Sequence, residues 1–300
     1  MARATARAER RGGRAPIRGV ALLAKPGTPE GLAIARELGA WLSARRLRVR
    51  FDRETARALG RKDGLPPDRL PPGTDLVIVA GGDGSLLAAA RIAGPAGVPI
   101  LGVNFGGLGF LSELQPEELF PGLDGVLRGA YAIEERSLLR IRLRRRGRAL
   151  AEHALLNDAV VTKTALARML LIEVTIDAEP VATYTSDGLI VATPTGSTAY
   201  NLSAGGPILD PRVDAFVIAP ICPHAMSYRP LVVPGSVRIA IVLVSPAEDA
   251  YLTLDGQVGY PLRSKDEIVV DRHPRRVKLV RVAHRGFFEI LQRKLHWGGR

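Results

Sequence analysis

Two polar clusters in the sequence contain the residue types that bind phosphates and sugars. The first, Gly-Gly-Asp-Gly-Ser at residues 81–85, directly follows the apolar run 76–80. The second, residues 193–207, is rich in Thr, Ser and Gly and follows the apolar run 189–192. We call them the glycine turn and the hydroxyl loop. Both place N–H groups and hydroxyls where a strand ends rather than in a core, so they indicate that the chain handles a nucleotide.

The glycine turn suits phosphate because glycine has no Cβ and lets the backbone approach a ligand closely. The start of the following helix adds unpaired N–H donors, so we predict phosphate contacts at Gly81, Gly82, Gly84 and Ser85. The turn is not a Walker loop, since no Lys-Ser/Thr pair follows. It is not the dinucleotide fingerprint either, whose acidic residue lies about 20 residues downstream. A turn that only caps a helix is the alternative.

Asp83 is the unusual member of the glycine turn, because a carboxylate beside phosphates repels them. Either a cation bridges the charges, or the carboxylate holds a hydroxyl next to the phosphates. A second polar pair, Asn157-Asp158, ends another strand. An Asn side chain suits the edge of an adenine, and an Asp accepts from ribose hydroxyls. The same pair is common in ordinary turns, and Asp187 in Ser-Asp-Gly is equally ambiguous.

The hydroxyl loop is the more specific of the two clusters. It has five hydroxyl-bearing side chains besides its tyrosine: Thr193, Thr195, Ser197, Thr198 and Ser203. Tyr200 offers a stacking face, and Gly205-Gly206 permits a tight return. We expect Thr198 and Ser203 to hydrogen-bond sugar or phosphate oxygens. A polar surface loop without function is the alternative.

The alternation of strands and helices over residues 17–130 predicts an α/β domain that positions the glycine turn. Its sheet would be open, mostly parallel and Rossmann-like, with the fully apolar run 76–80 inside it. Residues 131–275 show short β-rich runs separated by Gly, Pro and Asp, which predicts an all-β, sandwich-like domain. Residues 1–16 are predicted to be a disordered basic tail. Residues 276–300, with a helical pattern over 287–295, are predicted to return to the α/β domain.

Composition narrows the possible partners. The net charge of +12 favours a polyanionic partner, but no nucleic-acid recognition motif accompanies it, so nucleic acid is not expected. The arginines around Gly147 are interpreted as the exposed face of a hairpin. No apolar stretch approaches the ~18 residues of a membrane span. The one cysteine, Cys222, excludes an internal disulfide, fits a reducing cytoplasm and is interpreted as a small buried side chain.

The chain resembles the NAD kinase family from about Gly19 to Trp297. The resemblance is carried by Gly-Gly-Asp-Gly at 81–84, Asn-Phe-Gly-Gly-Leu-Gly-Phe-Leu at 104–111, Asn-Asp at 157–158, Asp-Gly at 187–188, residues 193–209, Pro-His at 223–224, Arg-Pro-Leu at 229–231 and Asp-Gly-Gln at 255–257. The first of these alone would be shared with lipid kinases. The Leu-Gly-Phe-Leu run and the start of the hydroxyl loop are far more discriminating.

The resemblance implies transfer of the γ-phosphate of ATP, or of polyphosphate, to the 2′-hydroxyl of the adenosine ribose of NAD, giving NADP. Asp83 would orient or deprotonate that hydroxyl, and Mg²⁺ would accompany ATP without a metal site of protein ligands. A cytoplasmic homodimer or homotetramer is implied, whose sites a neighbouring subunit can complete. The implied substrate contacts are Gly84, Phe110, Asn157, Asp158, Arg168, Asp187, Thr198, Ala199, Tyr200, Asn201, Leu202, Ser203, His224 and Gln257, with Tyr200 on the adenine.

Two departures from the family pattern and two other functions stay open at this point. Thr185 stands where many members carry Arg or Lys, which leaves the choice between NAD and NADH undecided, and Tyr228 stands where Asn is common. A lipid kinase would share the Asp83 turn but would have no use for the hydroxyl loop. A non-enzymatic sensor would bind NAD and form no NADP.

Overall fold

The structure is a computed structural model that describes residues 16–25, 27–66, 68, 70–104, 109–164, 168–244, 250–282 and 286–297. Residues 1–15 of the predicted tail, and residues 105–108 of the motif at 104–111, lie outside the described residues. The chain forms one mostly parallel α/β sheet followed by antiparallel β-sheets. The predicted fold class is therefore confirmed.

The first sheet carries the glycine turn at the end of a central strand. Its strands, numbered in chain order through the whole protein, are β1 (Gly19–Ala24), β2 (Arg48–Phe51), β3 (Leu76–Ala80), β4 (Ile100–Val103), β5 (Ala132–Arg136) and β18 (Val277–Arg281). They lie in the order β2-β1-β3-β4-β18-β5, and only the β18–β5 pair is antiparallel. Every residue of β3 is buried, which is why its sequence is apolar without alternation.

Helices cover this sheet and position its polar loops. The α-helices of the described ranges are α1 (Pro29–Ala44), α2 (Arg53–Ala58), α3 (Asp83–Ala96), α4 (Leu119–Leu127), α5 (Tyr200–Ser203) and α6 (Phe287–Leu295). Helix α1 buries Ala35, Leu38 and Leu42 in a core shared with β1 and β3. The sequence pattern does not reveal α2 and α4, because six and nine residues make too few turns for a periodic signal.

Two six-stranded antiparallel sheets form the second part of the chain. Their strands are β6 (Leu139–Arg145), β7 (Arg148–Leu155), β8 (Asp158–Lys163), β9 (Leu170–Ile176), β10 (Glu179–Ser186), β11 (Gly188–Ala192), β12 (Ala215–Ile221), β13 (Leu231–Pro234), β14 (Ile239–Leu243), β15 (Ala250–Leu254), β16 (Val258–Leu262) and β17 (Glu267–Arg272). The orders are β10-β9-β14-β17-β6-β7 and β13-β12-β11-β8-β15-β16. Side chains of both sheets, such as Ile172 and Phe216, share one hydrophobic core, as in a sandwich.

Strand β5 differs from the predicted domain division. It falls within residues 131–275, yet it belongs to the first sheet, where it pairs with β18 in the register Ala132↔Arg281 and Arg136↔Val277. The sequence pattern of a short strand shows its period but not its partner, and this partner lies far along the chain. Strand β18 also pairs with β4, so the chain crosses between the two folds more than once.

Two expectations about surface residues are revised by the structure. Cys222 is exposed rather than buried, because it lies in the turn after β12 with a positive φ of 43°. The arginines of the β6–β7 hairpin are not a free cationic face, since Arg140 and Arg142 both pair with Asp271. Among the described helices, none combines the length and the apolar composition that a membrane crossing requires.

Candidate functional site

Asp83 is the first residue of α3 and lies directly beyond the carboxyl end of β3. Two backbone N–H groups hold its carboxylate: Phe110 donates to Oδ2 at 2.9 Å and Leu111 donates to Oδ1 at 3.2 Å. Each oxygen keeps a further lone pair. The side chain is therefore fixed in orientation and still able to accept a proton or a hydrogen bond from a ligand.

Gly109 permits this arrangement. A Cβ at that position would lie 2.4 Å from Asp83 Oδ1 and 2.5 Å from Ser112 Oγ, which no ordinary packing allows. The loop after β4 thus approaches Asp83 closely only because residue 109 has no side chain. The motif Leu-Gly-Phe-Leu has a direct structural explanation here: its glycine makes room, and its next two residues supply the N–H donors.

The β-hairpin turn between β15 and β16 joins this carboxylate site to the β domain. Gln257 Nε2 donates to the carbonyl oxygen of Gly84 at 2.5 Å. Two residues earlier, Asp255 accepts hydrogen bonds from the backbone N–H groups of Leu156, Asn157 and Asp158 at 3.2, 2.8 and 3.2 Å. One turn therefore contacts both the glycine turn and the predicted adenine-binding pair.

The hydroxyl loop begins beside the same pair. Thr193 N donates to Asn157 O at 2.8 Å, and Thr193 Oγ1 donates to Leu156 O at 2.5 Å. A Cβ on Gly196 would lie 2.2 Å from Asn157 O, so a glycine is required for this close approach. Continuous contacts thus run from Gly84 through Gln257 and Asp255 to Asn157 and the hydroxyl loop. The structure brings together the two polar clusters of the sequence.

The side chains of the hydroxyl loop divide into buried and exposed groups. Ser197 Oγ donates to Pro194 O at 2.6 Å, and Asn201 Nδ2 donates to Ser197 O and Pro207 O at 3.0 Å each. Asn201 is fully buried and its amide bonds within the loop, so its side chain supports the loop, and its predicted substrate contact stays a prediction. Tyr200 is 44% exposed and Ser203 is exposed, which leaves both accessible to a ligand. The neighbouring residues Thr198, Ala199 and Leu202 are partly exposed.

Asp187 and His224 lie away from this group. In the register of β8 and β11, Asp158 faces Ala192, whereas Gly188 faces Thr162 at the other end. Asp187 lies five positions along the chain from Ala192, so Asp187 is about 17 Å from the Asp158 end. His224 N donates to Thr185 O at 2.9 Å, which keeps it at that far end as well. Within one chain, these two residues do not join the Asp83 site.

Two further predicted contacts have different surroundings. Phe110 is half-buried, packs against the core around α3, and has Lys294 Nζ of α6 at 6.0 Å from its ring centroid. The C-terminal helix therefore lies beside the loop that binds Asp83. Arg168 is exposed just before β9, and residues 165–167 next to it lie outside the described residues. No described contact connects Arg168 to Asp83.

Asp158 and Asp255 are two buried carboxyl groups, 4% and 5% exposed, at the centre of the site. Burial raises the pKa of Asp158 to about 7, and the charge of Asp255 adds to the effect. Burial also raises the pKa of Asp255, against the lowering effect of its three backbone N–H donors and of Arg91. Near neutral pH, Asp158 thus changes from an acid that donates a hydrogen bond to a carboxylate that only accepts.

Sequence reasoning assigned no role to Asp255 or Gly109, although both lie in motifs it noted. An Asp-Gly pair in a hairpin turn is a common signal for a turn and does not show that the carboxylate points inward. Among the described residues, no group of three or more His, Cys, Asp or Glu side chains is arranged to hold a metal ion. A cation at this site would therefore need ligand oxygens from a bound substrate.

The chain matches two family models over most of its length. Residues 20–131 match the ATP-NAD kinase N-terminal domain, and residues 156–282 match the ATP-NAD kinase C-terminal domain. An NAD kinase of Geotalea daltonii is 44% identical over 281 residues, covering 94% of this chain and 99% of that protein. An NAD kinase of Koribacter versatilis is 45% identical over 282 residues, with the same two coverages.

Two solved structures have folds similar to that of this chain. A yeast NADH kinase in complex with NADH has a TM-score of 0.86 and 27% identity, over 96% of this chain and 90% of that one. An NAD kinase from Archaeoglobus fulgidus in complex with ATP has a TM-score of 0.71 and 22% identity, over 93% of this chain and 98% of that one, and shows the fold alone.

Ionisation of Asp158 should make the protein less stable as the pH rises from about 4 to about 7. We predict that Asp158→Asn removes much of this pH-dependent loss of stability. The folded-state pKa of about 7 exceeds the unfolded value, so the folded protein keeps a proton that the unfolded chain has released. Its free energy of unfolding therefore falls as the pH rises through this window. Thermal melts at about pH 5 and about pH 8 measure the difference in Tm.

The control is Asp63→Asn, which changes an exposed carboxylate that pairs with Arg61. This variant should keep the Tm difference of the parent protein. An unchanged Tm difference in Asp158→Asn as well would show that Asp158 ionises like an ordinary carboxyl group.

Proposed function

The chain belongs to the NAD kinase family and transfers the γ-phosphate of ATP to the 2′-hydroxyl of the adenosine ribose of NAD, and we propose that Asp83 holds this hydroxyl for the reaction. The observation that carries the proposal is the fixed carboxylate of Asp83, which two backbone N–H groups hold beside the Gly84–Gln257 contact to the β domain. Neither a lipid kinase nor a non-enzymatic sensor is supported by the relatives.

Asp83 acts mainly by orientation rather than as a strong base. A sugar alcohol ionises only above about pH 10, so early deprotonation of the hydroxyl is unfavourable. Phosphoryl transfer has a loose transition state in which the nucleophile loses its proton late. Holding the hydroxyl in line with the γ-phosphate therefore speeds the reaction more than making the hydroxyl more basic would. As the new P–O bond forms, the bond between the γ-phosphate and ADP breaks, ADP leaves, and Asp83 receives the proton of the hydroxyl.

The glycine turn and a divalent ion would hold the donor phosphates. Gly81, Gly82, Gly84 and Ser85 surround the start of α3, where N–H groups and the helix dipole favour anions. Phosphate oxygens are ligands that Mg²⁺ accepts, so Mg²⁺ would be bound by ATP near the carboxylate of Asp83. It would offset the charge between this carboxylate and the phosphates. Polyphosphate offers the same phosphate oxygens as a donor.

The remaining side chains would bind the NAD molecule. Asn157, at the edge of β8, would meet the adenine edge, while Asp158 would accept from ribose hydroxyls in its ionised form. Tyr200 would stack on the adenine, and Thr198 and Ser203 would bond sugar or phosphate oxygens. Gln257, already bonded to Gly84, would line the boundary between NAD and the donor.

The lone Cys222 fits a cytoplasmic location.

We propose that Asp187 and His224 complete the site of a neighbouring subunit. They lie about 17 Å along the strands from Asp158 in their own chain, too far for a direct role beside Asp83. A homodimer or homotetramer would bring this end of one subunit to the open side of another. The Asp187 carboxylate is partly exposed, and its contact with Lys163, 3.4 Å from Nζ to Oδ1, orients it.

We predict that Asp83→Asn lowers kcat at least about 100-fold while NAD still binds, because the amide keeps the size of the side chain but cannot receive the proton. NADP formed from NAD, ATP and Mg²⁺ is measured with an NADP-specific dehydrogenase, and NAD binding is measured by calorimetry. Asp124→Asn, on the exposed face of α4, is the control. Parent-like kinetics in Asp83→Asn would rule out the assigned role.

Gly109→Ala should lower kcat on the order of 100-fold without unfolding the protein, since a methyl group 2.4 Å from Oδ1 must displace the Asp83 carboxylate. Gly125→Ala is a matched control on α4, where the nearest atom to a new Cβ is 3.8 Å away. Both variants are assayed for NADP formation and for Tm. A fully active Gly109→Ala variant would mean that the Asp83 position is not critical.

Mixing two inactive variants tests the shared site. Asp83→Asn and Asp187→Ala should each have low activity alone, because each lacks one half of every composite site. After unfolding and joint refolding at equal amounts, about a quarter of the parent activity should return, since mixed dimers contain one intact site each. Activity no higher than the sum of the separate variants would show that Asp187 does not act across a subunit interface.

A further inference from the structure

The two halves of the site lie on different folds, so something must fix their relative position. Asp83 begins α3, which follows a strand of the first sheet, and the hydroxyl loop belongs to the β domain. In addition to the Gln257 contact, a continuous row of polar side chains connects the two halves. We call it the interdomain ladder, and its members are Glu113, Arg281, Glu134, Arg136 and Thr195.

The ladder begins at the loop that binds Asp83. Glu113 follows Leu111, an N–H donor to Asp83, by two residues and is only 4% exposed. Its Oε2 receives Arg281 Nη1 at 2.8 Å and its Oε1 receives the backbone N–H of Val282 at 2.9 Å. Any shift of this loop would therefore move a buried carboxylate away from its cation.

The middle of the ladder spans two neighbouring strands. Arg281 on β18 donates from Nε to Glu134 Oε2 at 2.5 Å, and Arg136 Nη2 lies 2.6 Å from Glu134 Oε1. Burial alone would raise the pKa of Glu134, but Arg281 and Arg136 bring it below the usual value, so this carboxyl stays charged. Two carboxylates and two guanidinium groups alternate and balance.

The ladder ends at the base of the hydroxyl loop. Arg136 is 3% exposed, and its Nη1 donates to Thr195 Oγ1 at 3.3 Å. The carbonyl oxygen of Thr195 in turn accepts from Thr198 Oγ1 at 3.2 Å. Arg136 Nε has no hydrogen-bond partner within the described residues. The contacts of the guanidinium are therefore made by its two terminal nitrogens, Nη1 and Nη2. Burying a cation carries a desolvation penalty, and an apolar side chain would fill the same space without that penalty. The presence of an arginine at this position is therefore informative.

We propose that Arg136 is a positioning residue for phosphoryl transfer: through Thr195 it sets the hydroxyl loop at a fixed place relative to Asp83. Arg136 touches neither the substrate nor the reacting atoms. The inference rests on the proposed function, because the quantity it controls is the in-line placement of the ribose hydroxyl. Within the ladder the contact that crosses between the folds is Arg136 Nη1–Thr195 Oγ1, so a shift of either fold would take a partner from the buried guanidinium of Arg136.

A double-mutant cycle tests the proposal. Arg136→Met should lower kcat/KM for NAD at least about tenfold, and Thr195→Val should lower it several-fold by removing only the accepting hydroxyl. The double variant should be no worse than Arg136→Met within about twofold, because both changes break the same link. Losses that multiply in the double variant would show that Arg136 does not act through Thr195 and would overturn the proposal.

Arg145→Met is the matched control for loss of an ion pair. Arg145 forms a bidentate contact with the buried Asp266, at 2.8 and 2.7 Å. It is the last residue of β6 and pairs with Arg148 of β7, which lies about 24 Å along β7 from the end of that strand at the site. This variant should lower Tm and leave kcat/KM within about twofold of the parent, as expected for stability without positioning. If Arg136→Met behaves in the same way, its role is only structural.

A second variant covers the case in which Arg136→Met fails to fold. Arg136→Lys keeps a cation beside Glu134 but has one nitrogen instead of a fork, so it cannot also bond Thr195. It should fold, show the lowered kcat/KM, and give the same non-additive cycle with Thr195→Val. Parent-like kcat/KM in Arg136→Lys would overturn the proposal. Absence of NADP formation by the parent protein would instead refute the proposed function.

Discussion

The structure depends on holding one carboxylate of the α/β fold at a fixed distance from a polar loop of the β fold. Phosphoryl transfer is governed by alignment, so a shift of about 1 Å between the two halves has a large effect on rate. Neither fold alone contains the whole site. The contacts between them are therefore as much part of the catalytic apparatus as the side chains that face the substrate.

Buried polar groups supply that rigidity. Asp255 is enclosed by three backbone N–H groups, and Asp83 is held by two, so each carboxylate is fixed by the main chain rather than by a flexible partner. Such groups are costly when unpaired, which makes any displacement unfavourable. The same cost appears in the raised pKa of Asp158, which results first from burial of its carboxyl group and then from the charge of Asp255. Stability and function are in tension at this point, because the buried charges that define the site also destabilise the fold.

Local sequence features predicted much of the fold. The unbroken apolar run of β3 and the helical spacing in α1 indicated a parallel sheet, and the many short runs after residue 131 indicated antiparallel sheets. The helices α2 and α4 were too short to show a period. Residues 132–136 fall within the predicted β domain, yet they form β5 of the first sheet, because the partner strand β18 is distant in sequence and pairing depends on the three-dimensional path of the chain.

The sequence by itself determined the chemistry of this protein: a carboxylate within glycines, a loop of hydroxyls, and the turns that place them at strand ends. These are local properties, since a residue type and its neighbours decide what a turn can bind. Only the tertiary structure decided which groups meet. It separated Asp187 and His224 from Asp158 by the length of a strand, turned Asn201 inward, and joined Arg136 to Thr195 across two folds. Contacts of this kind depend on pairing and packing between distant segments, which no short stretch of sequence specifies.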